Sequence, residues 1–280
     1  MNGEAMNALA EPEGYLTEWG AEDLRPLQRR PDQKIGVFRL RAGAVRHLLQ
    51  PSGLEGWTDE RQADRDELAA RGWTNEDGEP TAKAVELDRQ LRAHGDVLHL
   101  SAADASGVVQ GWIHCGADQA VVIVGPTQRP SNVAQNPFSR QGGLPEPQAD
   151  VMVDVVSLDA VPLLLARWGG LSPAWSDLEP LTLVDTDVLS RRVADASEPA
   201  LPEADADLAR LWERPWTWWS VATASREVDL QYINAADCGQ FMPRRNDDGT
   251  TALMARPCNL VWGDLQVVCR RLPSRSDEDW

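Results

Sequence analysis

The chain has 280 residues, with 27 lysines and arginines against 44 aspartates and glutamates, which gives a formal net charge of −17. Hydrophobic residues make up 42% of it, a composition typical of a globular protein. The excess of acid repels phosphate-rich partners, which argues against nucleic-acid binding. The longest apolar stretches are far shorter than the ~20 residues that span a bilayer, so we expect no membrane insertion.

The cysteines and the first residues indicate the cellular compartment. The cysteines show no paired spacing; they are Cys115, Cys238, Cys258 and Cys269. The chain starts with acids where a signal peptide would be basic and then apolar. These features predict a cytosolic protein with reduced thiols. Residues 1–14 are predicted to be a disordered leader.

The first half of the chain, residues 15–156, is predicted to hold two helices followed by an antiparallel meander. Thr58 and Thr81 are the predicted helix caps, and Gly72 and Gly95 are the predicted stops. A short strand at residues 36–40 could precede them. The three meander strands are expected at residues 97–104, 106–116 and 119–125, and another strand at residues 151–156. Between the last two, the proline-rich and glycine-containing residues 126–149 predict a long mobile loop.

The second half, residues 157–272, repeats this order of elements. A helix capped by Ser157 opens it, and Asp187 is predicted to cap the next helix. A helix at residues 204–213, four strands and a last helix at residues 259–272 follow. The strands are expected at residues 216–225, 227–236, 239–245 and 250–257. The sequence therefore predicts two similar halves, alike as a plan of elements and not as sequence identity.

Signature motifs of catalysis and cofactor binding are absent from the sequence. It contains no G-x-G-x-x-G, G-x-x-x-x-G-K-[ST], G-x-S-x-G or H-E-x-x-H pattern. The segments around Gly78 and Gly249 lack the charged ligands of a calcium loop, so we interpret both as turns. We predict no catalytic residue, no metal site and no cofactor.

Three weaker constellations have simpler explanations. Asp185 and Asp187 could hold a metal and a nucleotide, but capping of the following helix explains them better. His114 and Cys115 are neighbours at a predicted strand end, without the further members that a metal or nucleophile site needs. His94 and His99 are expected to face apart.

Tryptophan is unusually frequent, with 12 residues against 3 phenylalanines and 2 tyrosines. Trp212, Trp216, Trp218 and Trp219 fall close together, and strand alternation puts Trp216 and Trp218 on one face. These side chains fill a core between sheet and helices, or some of them anchor a protein partner. The sequence leaves both interpretations open.

Four segments resemble the EspG-type chaperones of type VII (ESX) secretion in actinobacteria. Residues 67–80 end a helix on A-R-G and turn through Asp77-Gly78 into a second helix. The hairpin series of residues 96–124, the helix with its proline-containing exit in residues 157–173, and the strand-turn-strand of residues 232–257 are also similar. The chain is identified as a divergent member of this family.

The resemblance implies a single α+β domain covering residues 1–280, with a central antiparallel sheet flanked by helical bundles and no catalysis. It implies a cytosolic chaperone that holds the helical tip of a PE-PPE-like heterodimer until export. The family's contacts come from a loop between two strands of the first half and from a later helical region. Carried over, the candidate partner-binding residues are Ser101, Ala102, Ala103, Asp104, Ala105, Ser106 and Gly107. Trp216 and Trp218 complete the set.

Two other functions remain as alternatives. An acidic immunity or antitoxin-type protein would neutralise a basic toxin by charge complementarity. An enzyme of unknown class would need a pocket in which Asp185, Asp187 and His114 converge. The sequence does not predict an oligomeric state.

Overall fold

The computed structural model describes residues 38–49, 62–85, 87, 97–105, 107–116, 119–125, 150–171, 182–200, 204, 206–223 and 228–271. The predicted leader, the predicted loop at residues 126–149, the predicted cap Thr58 and the predicted stop Gly95 lie outside these residues, as does His94.

Within the described residues, ten strands form one antiparallel sheet, which together with the helices gives the α+β fold class. The strands are β1 Phe38–Arg41, β2 Val97–Asp104, β3 Gly107–Cys115, β4 Gln119–Val124, β5 Asp150–Ser157, β6 Thr182–Asp185, β7 Thr217–Thr223, β8 Asp229–Asn234, β9 Gln240–Arg245 and β10 Thr250–Arg256. Their order in the sheet is β1-β5-β4-β3-β2-β7-β8-β9-β10-β6. Strands β2 and β7 therefore meet at the centre, and β1 and β6 form the two edges.

Helices cover both faces of this sheet. They are α1 Ala42–Leu49, α2 Gln62–Ala70, α3 Val161–Trp168, α4 Thr186–Ala194, α5 Ala206–Trp212 and α6 Cys258–Arg271. Residues 82–85 and 87 are also helical, and short 3-10 turns occupy Leu158–Ala160 and Ala236–Cys238. Within the part of the chain that the structure describes, no helix is both long and apolar enough to cross a membrane.

The end of α2 confirms the predicted stop at Gly72. Gly72 has a φ of +71°, a conformation that glycine adopts without strain. Its amide donates to the Ala69 carbonyl at 2.9 Å, and the Trp73 amide donates to the Leu68 carbonyl at 2.9 Å. These two bonds form a Schellman motif, and Trp73 and Leu68 are buried in the same core cluster.

The predicted N-terminal caps are wrong in their details. Helix α4 is capped by Asp185 and not by Asp187: the Asp185 carboxylate accepts from the Asp187 amide at 2.9 Å and the Val188 amide at 3.1 Å. Ser157 makes no capping bond, because the 3-10 turn separates it from α3. The Thr81 hydroxyl donates to the Gly72 carbonyl at 2.9 Å instead of capping the next helix.

We call the side of the sheet under α3 and α6 the front face. Strand residues Leu100, Ile113, Val122 and Trp219 pack there against buried Leu165 and Leu265. We call the other side the back face, which carries two separate helical layers. One contains α1, α2 and residues 82–85 and 87; the other contains α4 and α5. Each layer has its own apolar core.

The C-terminal end of α3 is held by strands of the other half of the sheet. The Asn234 side-chain amide donates to the carbonyls of Gly169 and Gly170 at 3.2 and 3.0 Å. Trp219 donates through Nε1 to the Gln240 side-chain oxygen at 3.1 Å. We call these bonds the α3 clasp. Because α3 follows β5 while its donors lie on β8 and β9, the clasp ties the end of α3 to strands on the other side of the sheet centre, on the front face.

Candidate functional site

The loop predicted at Ser101–Gly107 is a much shorter turn in the structure. Strand β2 continues to Asp104, which pairs directly with Gly107 at the start of β3. Only positions 105 and 106 therefore lie between the strands. Ser101–Asp104 belong to the strand predicted at residues 97–104, which is confirmed, so the turn within the candidate contact segment is short.

Several of the predicted contact residues are buried within the chain. Ala102 pairs with Trp219 and faces the front core, while Ala103 pairs with Trp218 and faces the back core. Both alanines and Gly107 are buried. Ala105 is exposed, Ser101 and Asp104 are half-buried, and Ser106 lies outside the described residues. A partner can thus reach the hairpin at Ala105 and along the half-buried side of β2.

The two candidate tryptophans lie in the core. Trp216 is 4% exposed and Trp218 is 5% exposed, and both belong to the cluster beneath α4 and α5. The Trp216 Nε1 donates to the Leu211 carbonyl at 2.8 Å, and its ring meets Trp212 edge-on with centroids 5.0 Å apart. The shared face predicted from alternation is confirmed. As buried side chains they fill space between sheet and helices, and a partner cannot reach them in this conformation.

A row of polar side chains crosses the centre of the sheet beside this core. Register places its four members opposite one another on adjacent strands; they are Gln110, Ser101, Ser220 and Gln231. We call them the polar row. Each strand of the row alternates with residues of the front core, such as Leu100 and Val221, so the row lies on the back face. All four members are half-buried.

The polar row has hydrogen-bonding capacity that the chain does not use. Gln231 donates to the Asp229 carboxylate at 3.2 Å. Among the described residues, nothing hydrogen-bonds to the side chains of Gln110, Ser101 or Ser220. Such groups are available to water or to the polar atoms of a partner.

The row lies between apolar and weakly basic neighbours. Towards the hairpin turn it borders buried Ala103 and Trp218. On its other side His99 pairs with Trp112, and His114 follows on β3. Burial lowers the pKa of His99, and burial together with His99 lowers the pKa of His114 to about 4. Both imidazoles are neutral at pH 7, so on this side the carboxylate of Asp229, which accepts from Gln231, is the charged neighbour of the row that a hydrogen bond identifies.

The alternative catalytic constellation does not assemble. Asp185 ends the edge strand β6, whereas His114 is on β3, and five strands separate β3 from β6 in the sheet. His114 and Cys115 are consecutive strand residues and point to opposite faces, with Cys115 in the front core. Within the described ranges, no group of three or more His, Cys, Asp or Glu side chains could hold a metal ion.

Sequence reasoning missed the polar row, although a signal was present. Each of its serines interrupts a run of apolar or small strand residues, Ser101 in L-S-A-A and Ser220 in W-W-S-V-A. A polar residue at a strand position that alternation assigns to a covered face indicates that the helices leave the sheet partly uncovered there. The row itself needs the pairing of β2 with β7, which the sequence does not display.

Comparisons with known proteins give likenesses to solved structures only. No family model matches the chain, and no curated protein matches it. Among solved structures, a Mycobacterium tuberculosis type VII secretion system chaperone, EspG5 in complex with a PE25-PPE41 dimer, is similar over 85% of this chain and 97% of that chain. The identity is 10% and the TM-score is 0.44. A likeness at this TM-score carries no argument about function.

Proposed function

We propose that the protein is an EspG-like, non-catalytic chaperone that binds a helical secretion substrate and keeps it soluble before export. The four sequence segments that resemble the family support this proposal. The observation that carries it is the polar row: a half-buried row of uncharged side chains with unused hydrogen bonds suits the recognition of a protein better than the binding of a phosphate or a metal.

The proposed partner is a PE-PPE-like heterodimer, and the proposed location is the cytosol. We place its contact on the back face, at Ala105 and along the polar row. A partner that buries apolar surface around such polar groups gains affinity from burial and specificity from the hydrogen bonds. Substrate and chaperone would thus meet through neutral groups, although the chain carries a net charge of −17.

We also propose that the chain is one domain built from two repeated halves. The strand order supports this, because the first strand of each half lies at an edge and the second lies at the centre, in β1 and β2 as in β6 and β7. In this view the polar row lies where the halves meet, with a serine from each at its middle.

A binding experiment with matched variants tests the proposed function. Titration calorimetry would measure binding of a PE-PPE-like heterodimer from the same organism to the wild type and to the double variant Ser101→Val, Ser220→Val. Valine suits a half-buried strand position, so the fold is kept while two hydroxyls are lost. At about 1 kcal/mol for each hydrogen bond, we expect affinity to fall roughly 30-fold.

The control is Thr217→Val, which removes a hydroxyl from the front side of β7 and should leave affinity unchanged. Ala105→Trp tests the turn separately and should weaken binding by steric overlap. No binding of the heterodimer by the wild type would refute the chaperone proposal. A complex that weakens steeply as salt approaches 1 M, where the Debye length is about 3 Å, would favour the immunity alternative.

A further inference from the structure

Two histidines lie next to the polar row on the back face of the sheet. His99 is two residues from Ser101 on β2, and side chains at this spacing share a face. On β3, Trp112 is opposite His99, and His114 follows two residues later on the same face. The charge of His99 lowers the pKa of His114, so the two imidazoles are close to each other.

Both imidazoles are half-buried, and among the described residues nothing hydrogen-bonds to either of them. The titratable groups beside His99 on this face of the sheet are His114 and, two strands away at about 10 Å, Asp229. The first helical layer meets this part of the sheet through an apolar cluster that contains Trp112. Within the described ranges, His99 therefore has no carboxylate in contact that would stabilise its charged form.

The neighbours of the polar row differ on its two sides. Towards the hairpin turn the row borders Ala103 and Trp218, which are buried in the cluster beneath α4 and α5. On the other side it borders His99. An α-helix with its side chains is about 10–12 Å wide, whereas successive residues on one face of a strand are about 7 Å apart. A helix that rests on the row without displacing α4 or α5 therefore extends over His99.

We propose that a helical partner on the polar row also covers the imidazole of His99, so that binding of the partner and binding of a proton at His99 exclude each other. This inference rests on the proposed function, because it takes the polar row as the contact. A charged imidazole under the partner would lose its water without gaining a carboxylate from the described residues. The neutral imidazole keeps one donor and one acceptor for polar groups of the partner.

Proton linkage gives the direction of the effect. Burial already lowers the pKa of His99 in the free chain from its ordinary value of 6.5, and covering by the partner lowers it further. Binding is therefore strongest above about pH 7. Below the pKa of His99 in the free chain, each unit of pH weakens binding by up to about tenfold. The pKa of His114 is about 4, so a single proton is involved at pH 5 and above.

Titration calorimetry between pH 7.5 and pH 5 tests this proposal, with the full chain and the PE-PPE-like heterodimer from the same organism. NMR of the His99 imidazole in the free chain first gives its pKa. That pKa fixes the expected loss of affinity, which is at most about 30-fold at pH 5. Near this pKa, titrations in buffers of different ionisation enthalpy should show release of up to about one proton per complex.

Two variants separate His99 from its neighbour. His99→Gln keeps a neutral polar side chain, so it should bind at pH 7.5 and lose both the proton release and the weakening in acid that the wild type shows. His114→Gln is the matched control, since the pKa of His114 lies below the tested range. The pH dependence of the wild type should remain in this control. Thermal transitions at each pH would show that both variants are folded.

The outcomes distinguish this inference from the proposed function. No binding at pH 7.5 refutes the proposed function, and the inference falls with it. Binding at pH 7.5 with the same pH dependence in the wild type and in His99→Gln overturns the inference alone. Binding that tightens in acid through His99 also overturns it, because the partner would then stabilise the charged imidazole. The proton count of the wild type needs no variant, so an absence of proton release near the pKa of His99 is equally decisive.

Discussion

The two helical layers on the back face are held together at helix ends by opposite chemistry. In the first layer, carboxylates of α2 meet the start of α1: Glu67 accepts from the Arg41 amide at 2.9 Å, and Asp64 lies against Gly43 and forms an ion pair with Arg41 Nε at 3.1 Å. In the second layer, Arg192 of α4 caps the end of α5. Its guanidinium donates to the Trp212 carbonyl at 2.8 Å and the Arg214 carbonyl at 2.7 Å.

Both layers follow one electrostatic rule. The start of a helix carries partial positive charge and favours anions, while its end carries partial negative charge and favours cations. The first layer uses anions at a helix start, and the second uses a cation at a helix end. The two layers differ in the neighbour that each charged group needs. In the first layer a glycine makes room for the carboxylate. In the second, the guanidinium carbon of Arg192 lies 5.1 Å from the centroid of the Trp216 ring.

The largest expected effect is in the second layer. Arg192→Met removes the donors of two carbonyls in a buried place, and the methionine cannot replace them. We expect the free energy of unfolding to fall by about 4 kcal/mol, because each orphaned acceptor costs roughly 1–3 kcal/mol and the ring contact is lost as well. Urea unfolding would measure it.

The control for this variant is the neighbouring residue on the same helix. Arg191 is exposed and paired with Glu198 at 2.9 Å, so Arg191→Met should cost less than about 1 kcal/mol. Similar losses in the two variants would show that the contacts of Arg192 with the end of α5 do not hold the second layer.

The next effect concerns the pH dependence of the free energy of unfolding. Arg192 in the second layer stays protonated, whereas Asp154 on β5 and His114 on β3 titrate. Burial raises the pKa of Asp154 to about 6, and burial with His99 lowers the pKa of His114 to about 4. The raised pKa of Asp154 therefore lowers the free energy of unfolding as the pH rises from about 4 to 6. The lowered pKa of His114 lowers it as the pH falls from about 6.5 to 4.

These opposite slopes predict that the wild type is nearly insensitive to pH between about 4 and 6. Asp154→Asn should unmask the histidine, so stability rises with pH in that window, and at pH 7.5 it should gain up to about 3 kcal/mol. His114→Gln should unmask the aspartate and reverse the slope. Unfolding free energies measured at several pH values would check both, and a flat profile in both variants would contradict the assignment.

The smallest effect tests the glycine of the first layer. A Cβ at Gly43 would overlap the Asp64 carboxylate, so Gly43→Ala should displace that group and cost about 2 kcal/mol. Gly263 in α6 is the matched control, since nothing lies within 4 Å of a Cβ built there. Gly263→Ala should instead stabilise by up to about 1 kcal/mol. Thermal unfolding of both variants would decide.

Local signals in the sequence carried the prediction of single elements. The strands expected at residues 119–125 and 239–245 are β4 and β9, each within one residue of its observed ends. The stop at Gly72 was also correct, because the φ of a glycine after a helix is decided by its neighbours. Strand β6 was missed, since a strand of four residues is too short to show a clear alternation of apolar and polar residues.

Features that depend on distant pairing escaped the prediction. The strand at residues 97–104 was predicted, but the burial of Ala102 and Ala103, two of the candidate contact residues, depends on their pairing with Trp219 and Trp218 on β7. The polar row likewise depends on the pairing of β2 with β7. Capping was wrong for α4, since Asp185 and Asp187 are equally good caps by composition and only the end of β6 decides between them.

The α3 clasp has a consequence for synthesis of the chain on the ribosome. Helix α3 is complete once residue 168 has emerged, but the donors that hold its end, Asn234 and Gln240, follow much later. Strand β2 likewise waits for β7 to cover its open side. Since domains generally fold as units while the N-terminal part emerges first, the end of α3 and the open side of β2 must wait for β7, β8 and β9. The last step of folding therefore comes after translation. A nascent chain stalled before residue 217 leaves exposed the edge of β2 that later pairs with β7.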